Sequence, residues 1–260
     1  KIFSALTWFV LALGACAANA AEPVYFDADG QRLRFFVAGD GPTVVLLHGM
    51  SGSAEGAWIR PGTFQRIADA GFRAVALEHR GHGGSAKSHD PDDYGVEMAD
   101  DVGRLLDHLG VERAHIVGYS LGGKVANTFR ARHPDRLHSL VLGGYGWPWQ
   151  QPAMSVADAR AGLENRAMPG NDLDALAAML SRVNALTPTA ESLRANSVPT
   201  LSIVGLQDEV VPRDAVLELR NTMAAVEAVD MAGTHAGPDG ALYKPAFGES
   251  IVRFLERHDP

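Results

Sequence analysis

Hydrophobic positions change their period along the chain, and the changes mark out successive elements. Residues 24–27 and 32–38 carry strand-type patterning on either side of Asp29-Gly30, a dipeptide that favours the positive φ angles of a tight hairpin. Residues 43–47 form an unbroken β-branched and leucine run, as expected of a strand buried on both faces. A helix is expected over 64–70, stopped by Gly71, followed by a strand over 72–77. Val96, Ala99, Val102, Leu105, Leu106 and Leu109 then recur at helical spacing, and Gly110 closes that element. A strand at 114–117, a helix at 124–132 ending before Pro134, and a strand at 137–142 continue the alternation.

Regularity breaks between 146 and 197, where Trp147, Pro148 and Trp149 precede two short helical patterns at 153–162 and 173–182. The alternation resumes with a strand at 199–204, a helix at 214–223, a strand at 226–229 and a final helix at 248–257. Repeated strand–helix units imply an α/β fold: a mostly parallel eight-stranded sheet with helices on both faces and an antiparallel hairpin at one edge. The irregular stretch reads as a small helical cap inserted after the sixth strand, so residues 21–145 and 198–260 form the core and 146–197 the cap.

Composition narrows the chemistry. The chain has 260 residues, enough to bury a core unaided, and its single cysteine, Cys16, excludes an intramolecular disulfide and a Cys-rich zinc site. A net charge of −8, with 23 basic and 31 acidic residues and no Lys/Arg block, argues against a nucleic-acid partner. Residues 1–20 differ in kind from the rest. Lys1, an apolar run over 2–15 and Ala18-Asn19-Ala20 follow the plan of a cleaved signal peptide, and the run is short for a membrane-spanning helix. Leu13-Gly14-Ala15-Cys16 also resembles a lipobox, which would attach the protein to a membrane through a lipidated Cys16. Both readings imply export, to the periplasm or beyond, and they differ in where the mature chain begins.

One segment concentrates the chemical signal. Residues 114–124, which include Gly118-Tyr119-Ser120-Leu121-Gly122, read strand, tight turn, helix. In G-x-S-x-G the serine occupies a strained turn, and the flanking glycines prevent clashes where strand and helix crowd together. The turn also places Ser120 at a helix N-terminus, where free N–H groups favour developing negative charge. A serine hydroxyl needs a base, and of ten histidines His235 has the late position, just after the last strand, that the order Ser…Asp…His requires, whereas His258 falls at a helix end. The third member orients the imidazole. Asp208, directly after a buried strand, is the candidate; Glu209 is its nearest rival, and Asp214 reads instead as a helix N-cap.

With these residues in place the sequence resembles the α/β-hydrolase fold superfamily, in its serine hydrolase and esterase branch, from about residue 24 to the C-terminus. Besides the stretches around Ser120 and His235, the segment from Leu206 to Pro212 is similar to the family's acid loop. Leu46-Leu47-His48-Gly49-Met50 resembles its oxyanion loop, and the segment from His79 to Ser85 its R-G-x-G-x-S loop, with Glu78 where many members carry Asp. The resemblance implies that the backbone N–H groups of Leu121 and Met50 form the oxyanion hole, the side chain of Met50 serving as a packing residue. It also makes the Asp-nucleophile branches poor models, because position 120 is a serine.

His79 and His82 imitate a metal pair but lack a carboxylate or cysteine cluster at ligand spacing, so no metal and no cofactor is expected. Within the cap, Trp147, Trp149, Met154 and Met179 are candidates to line an apolar substrate pocket, with Leu163, Met168 and Leu180 beside them. The expectation is an enzyme that cleaves a small or medium, largely uncharged carboxylic ester through an acyl-enzyme. Lactone hydrolysis, C–C bond hydrolysis and acyl or peroxy transfer would use the same triad. A non-catalytic ligand-binding protein is the alternative from another class.

Overall fold

The computed structural model describes residues 22–150, 152–164 and 170–259. The proposed signal segment, Cys16 and Met168 lie outside the described residues.

Eight strands form one sheet: β1 (Val24–Ala28), β2 (Gln31–Ala38), β3 (Thr43–Leu47), β4 (Arg73–Leu77), β5 (Ala114–Tyr119), β6 (Leu137–Gly143), β7 (Thr200–Gly205) and β8 (Val226–Met231). Their spatial order is β1-β2-β4-β3-β5-β6-β7-β8. β1 and β2 pair antiparallel, as do β2 and β4, whereas every other neighbouring pair is parallel. The hairpin turns at Asp29 and Gly30, whose φ angles of 57° and 81° are those the Asp-Gly pair predicts.

The helices are α1 (Thr63–Asp69), α2 (Val96–His108), α3 (Leu121–Arg132), α4 (Val156–Leu163), α5 (Leu173–Arg182), α6 (Ala190–Arg194), α7 (Arg213–Thr222) and α8 (Pro245–Arg257). They divide between the two faces because successive strand residues point opposite ways. In β3, Val45 and Leu47 join the core cluster that takes in α2, α3 and Met223 just beyond α7. Val44 and Leu46 join the one that takes in α1 and α8. Phe247, Ile251, Phe254 and Leu255 give α8 its apolar stripe, and burying each contributes about 2 kcal/mol.

Among the boundaries that depart from expectation, three have a clear local cause. α3 begins at Leu121, not 124, because Gly122 and Gly123 weaken the helical signal of its first turn without preventing it. α8 begins at Pro245, where a missing N–H costs nothing at the first helical position. α7 is preceded by Pro212 at the N-cap position, so Asp214 lies within its first turn and does not cap it. A π-helical turn at Glu55–Ile59 and the short α6 carry no periodic signal long enough to be read in sequence.

The chain order of the sheet reverses between β3 and β5: β3 leads outward to β4 on one side, and β5 lies on the other. At such a switch point the loops leaving adjacent strands diverge and open a crevice at their carboxyl ends. The loop carrying His48 to Met50 leaves β3 there, and Ser120 leaves β5. Between β6 and β7 the chain departs from the sheet and forms α4, α5 and α6.

Candidate active site

Ser120 has φ 56° and ψ −114°, a strained conformation that the surroundings enforce. Its amide donates to the Gly143 carbonyl at 2.9 Å, tying the turn to β6. The neighbouring glycines are steric necessities. A Cβ on Gly118 would lie 2.1 Å from the Gly122 carbonyl oxygen, and one on Gly122 would lie 2.1 Å from the Leu47 carbonyl oxygen. Because that helix packs so tightly on β3 and β5, Ser120 Oγ is held at one place.

His235 reaches this hydroxyl from the loop after β8. Its Nε2 lies 2.9 Å from Ser120 Oγ and its Nδ1 lies 2.8 Å from Asp208 Oδ2. With the Nδ1 proton on the carboxylate side, Nε2 presents a lone pair to the serine. Asp208 Oδ1 accepts the amides of Val210 and Val211, both at 3.0 Å. Burial alone would raise the Asp208 pKa, but the His235 bond and these two amides outweigh it and hold the carboxyl below its usual range. The Tyr119 hydroxyl donates to the His235 carbonyl at 2.6 Å, and the two rings lie 5.3 Å apart. That anchor on the residue next to the serine is invisible in the sequence. Glu209 is exposed, and Asp230 is paired with Arg213 and Arg220 at 2.6 and 2.8 Å.

The loop after β3 passes beside the serine: a Cβ on Gly49 would come 3.9 Å from Ser120 Oγ. Met50 follows, with its side chain 42% exposed, so the expected packing role is not what the structure shows. Leu121 is the first residue of α3, where an amide has no intrahelical acceptor. A buried histidine trio supports the loop. His48 Nδ1 donates to the Gly49 carbonyl at 2.8 Å, and its Nε2 accepts the His79 amide at 3.3 Å. His82 Nε2 accepts the Ser51 amide at 3.2 Å while its Nδ1 donates to the Arg80 carbonyl at 3.1 Å. These bonds require neutral rings. Burial pushes all three pKa values down, that of His82 to about 3.

Glu78, which stands where many members carry Asp, has a structural role. It is buried and accepts from Arg34 Nε at 2.7 Å, from the Gly84 amide at 2.5 Å and from the Ala54 amide at 3.2 Å. A Cβ on Gly83, which has φ 49°, would lie 2.0 Å from its carboxylate, which accounts for glycine there. Sequence reasoning missed this network because its members lie on three separate segments.

The four candidate pocket residues have different fates. Trp149 sets its ring edge-on to His235, centroids 6.3 Å apart at 77°, and packs on Val204, Val211 and Val216. Trp147 is half-buried and donates from its indole to the Pro188 carbonyl at 2.7 Å. Met154 is half-buried against the core. Met179 is fully buried in the core cluster that holds Leu121 and Tyr145, because α5 turns that stripe inward. The tightest group of metal-type side chains among the described residues is His89, Asp172 and Asp174. It is partly exposed and already internally paired, with His89 Nε2 3.1 Å from Asp172. No described helix is long and apolar enough to cross a membrane.

A family model described as the alpha/beta hydrolase fold matches residues 42–161, from the start of β3 into α4. The chain has the α/β-hydrolase fold. Its relatives include a putative carbamate hydrolase of Caulobacter sp. (strain K31), 37% identical over 49% of this chain and 46% of that protein. A putative non-heme haloperoxidase of Mycobacterium phage D29 is 29% identical over 78% of this chain and 85% of that one. The chain thus spans less than half the length of the first relative and most of the second. Among solved structures, a thermophilic esterase from Thermogutta terrifontis superposes with a TM-score of 0.75 at 21% identity, covering 92% of this chain and all of that one, a likeness of fold.

Proposed function

We propose that the protein is a serine hydrolase that cleaves a carboxylic ester through an acyl-enzyme. The reading is carried by one observation: the unbroken chain from Asp208 through His235 to Ser120 Oγ, at 2.8 and 2.9 Å, at the sheet's switch point. In this reading His235 takes the Ser120 proton as Oγ attacks the ester carbonyl. The amides of Leu121 and Met50 receive the oxyanion. His235 then protonates the departing alcohol and activates water to release the acid, while Asp208 holds the imidazole's orientation. No metal, cofactor or nucleic acid takes part. The segment over 146–197 acts as a cap over the crevice. Hydrolase names among the relatives support cleavage by water; the ester is chosen because the residues at hand supply all that acyl transfer needs.

Replacement Ser120→Ala tests this directly. Hydrolysis of short p-nitrophenyl esters should fall by at least about 10³-fold, and fluorophosphonate labelling should vanish. Full esterase activity in that variant would overturn the proposal. Lactones and meta-cleavage diketones, run beside the esters, separate this reaction from the others the triad can perform. Export through residues 1–20 belongs to the same proposal: the mass of the mature N-terminus distinguishes a start at Ala21 from a lipidated Cys16.

A further inference from the structure

Lys124 is a charged side chain in the wrong solvent. It lies on α3 one turn beyond the nucleophile, its amide donating to the Ser120 carbonyl at 3.1 Å, and it is only 3% exposed. Among the described residues no carboxylate pairs with its ammonium, which is costly to bury without one. Burial pulls its pKa down to about 8. Among the described residues its partner is Trp149: Nζ donates a hydrogen bond to the Trp149 carbonyl and lies 5.0 Å from the centre of the indole.

Trp149 is also the residue whose ring meets His235 edge-on and packs against Val211, whose amide holds Asp208. Nearby anchors of the same segment are neutral ones on Trp147, whose amide donates to Ala215 and whose indole donates to Pro188. A charge-assisted bond is stronger than these, and in a dry site it gains further.

Resting on the reading of Ser120 as nucleophile, we propose that Lys124 is a positioning residue: it pins Trp149 as the wall beside His235, and that wall determines which acyl groups reach Ser120. A buried ammonium with no carboxylate partner among the described residues is then kept for specificity rather than stability. A long side chain on α3 reaches back over the preceding turn, towards the nucleophile, which is the direction this task requires.

The test is a double-mutant cycle with Lys124→Met and Trp149→Ala. It is read as kcat and KM on p-nitrophenyl acetate, butyrate and octanoate, with fluorophosphonate labelling rate and melting temperature alongside. Lys124→Met should melt no lower than wild type while losing about tenfold in kcat/KM on the preferred ester and shifting the chain-length order. Trp149→Ala should shift that order the same way, and adding Lys124→Met to it should change nothing further. A lower melting point with an unaltered chain-length order would make Lys124 merely structural and overturn the proposal. So would an equal Lys124→Met effect in the Trp149→Ala background. Should the methionine variant not fold, Lys124→Gln carries the same comparison. Absence of a Ser120 adduct in the wild type would instead overturn the nucleophile reading itself, so the two failures are distinguishable.

Discussion

Asp208 shows how much of a residue's role is set by its neighbours. Its carboxylate gives one oxygen to His235 and the other to two backbone amides, so both oxygens are committed and the imidazole can take only one orientation. Asp208→Asn keeps the shape but offers an amide N–H where Nδ1–H must be received, favouring the wrong tautomer. We expect kcat to fall by about 10³- to 10⁴-fold with little change in melting temperature. Steady-state kinetics together with thermal melts check both parts. The choice of Asp208 over Glu209 rested on its place after a strand, and the structure shows why the two differ: the turn of the loop exposes Glu209.

At the scale of elements, the contact of α3 with β3 and β5 sets the serine's position. Gly122 permits it, since the Leu47 carbonyl stands where any side chain would begin. Gly122→Ala must therefore push α3 away from the sheet. The expected cost is about 3 kcal/mol in denaturant unfolding, with loss of activity in the fraction that still folds. An alanine at Gly162, where a Cβ meets nothing within 4 Å, is the control and should be neutral or better. The glycine pattern was legible because one motif fixes both its spacing and its mechanical reason. The extent of α3 was not, because those same glycines are poor helix formers.

For the whole molecule, acid is the informative stress. His48, His79 and His82 are buried neutral around the loop after β3, and His115 is pushed to about 3 by burial and by His138. In the unfolded chain each would titrate near pH 6.5. The unfolded state therefore binds protons that the folded state refuses. The stability these rings contribute is complete above about pH 6.5 and drains away as pH falls towards about 3. Melting temperature should drop steadily over that window. His82→Asn should flatten the slope by up to one proton, while lowering stability at pH 7 by freeing the Ser51 amide. An unchanged slope would mean that His82 is not held neutral.

The amino-acid sequence by itself determined the alternation of elements, the fold class and the choice of Ser120, Asp208 and His235, which the structure brings together. Those depend on local period, on turn chemistry and on the order of a few motifs, all of which are written along the chain. Tertiary structure decided what depends on distance. It assembled the histidine trio and Glu78 from the loops after β3 and β4, set the Tyr119 hydroxyl on the His235 carbonyl, buried Met179 while leaving Met50 exposed, and brought Lys124 to Trp149. Such contacts join residues up to 116 positions apart, as Tyr119 and His235 are. Hydrophobic burial chooses them only when the sheet closes, so no pattern of neighbours along the sequence records them.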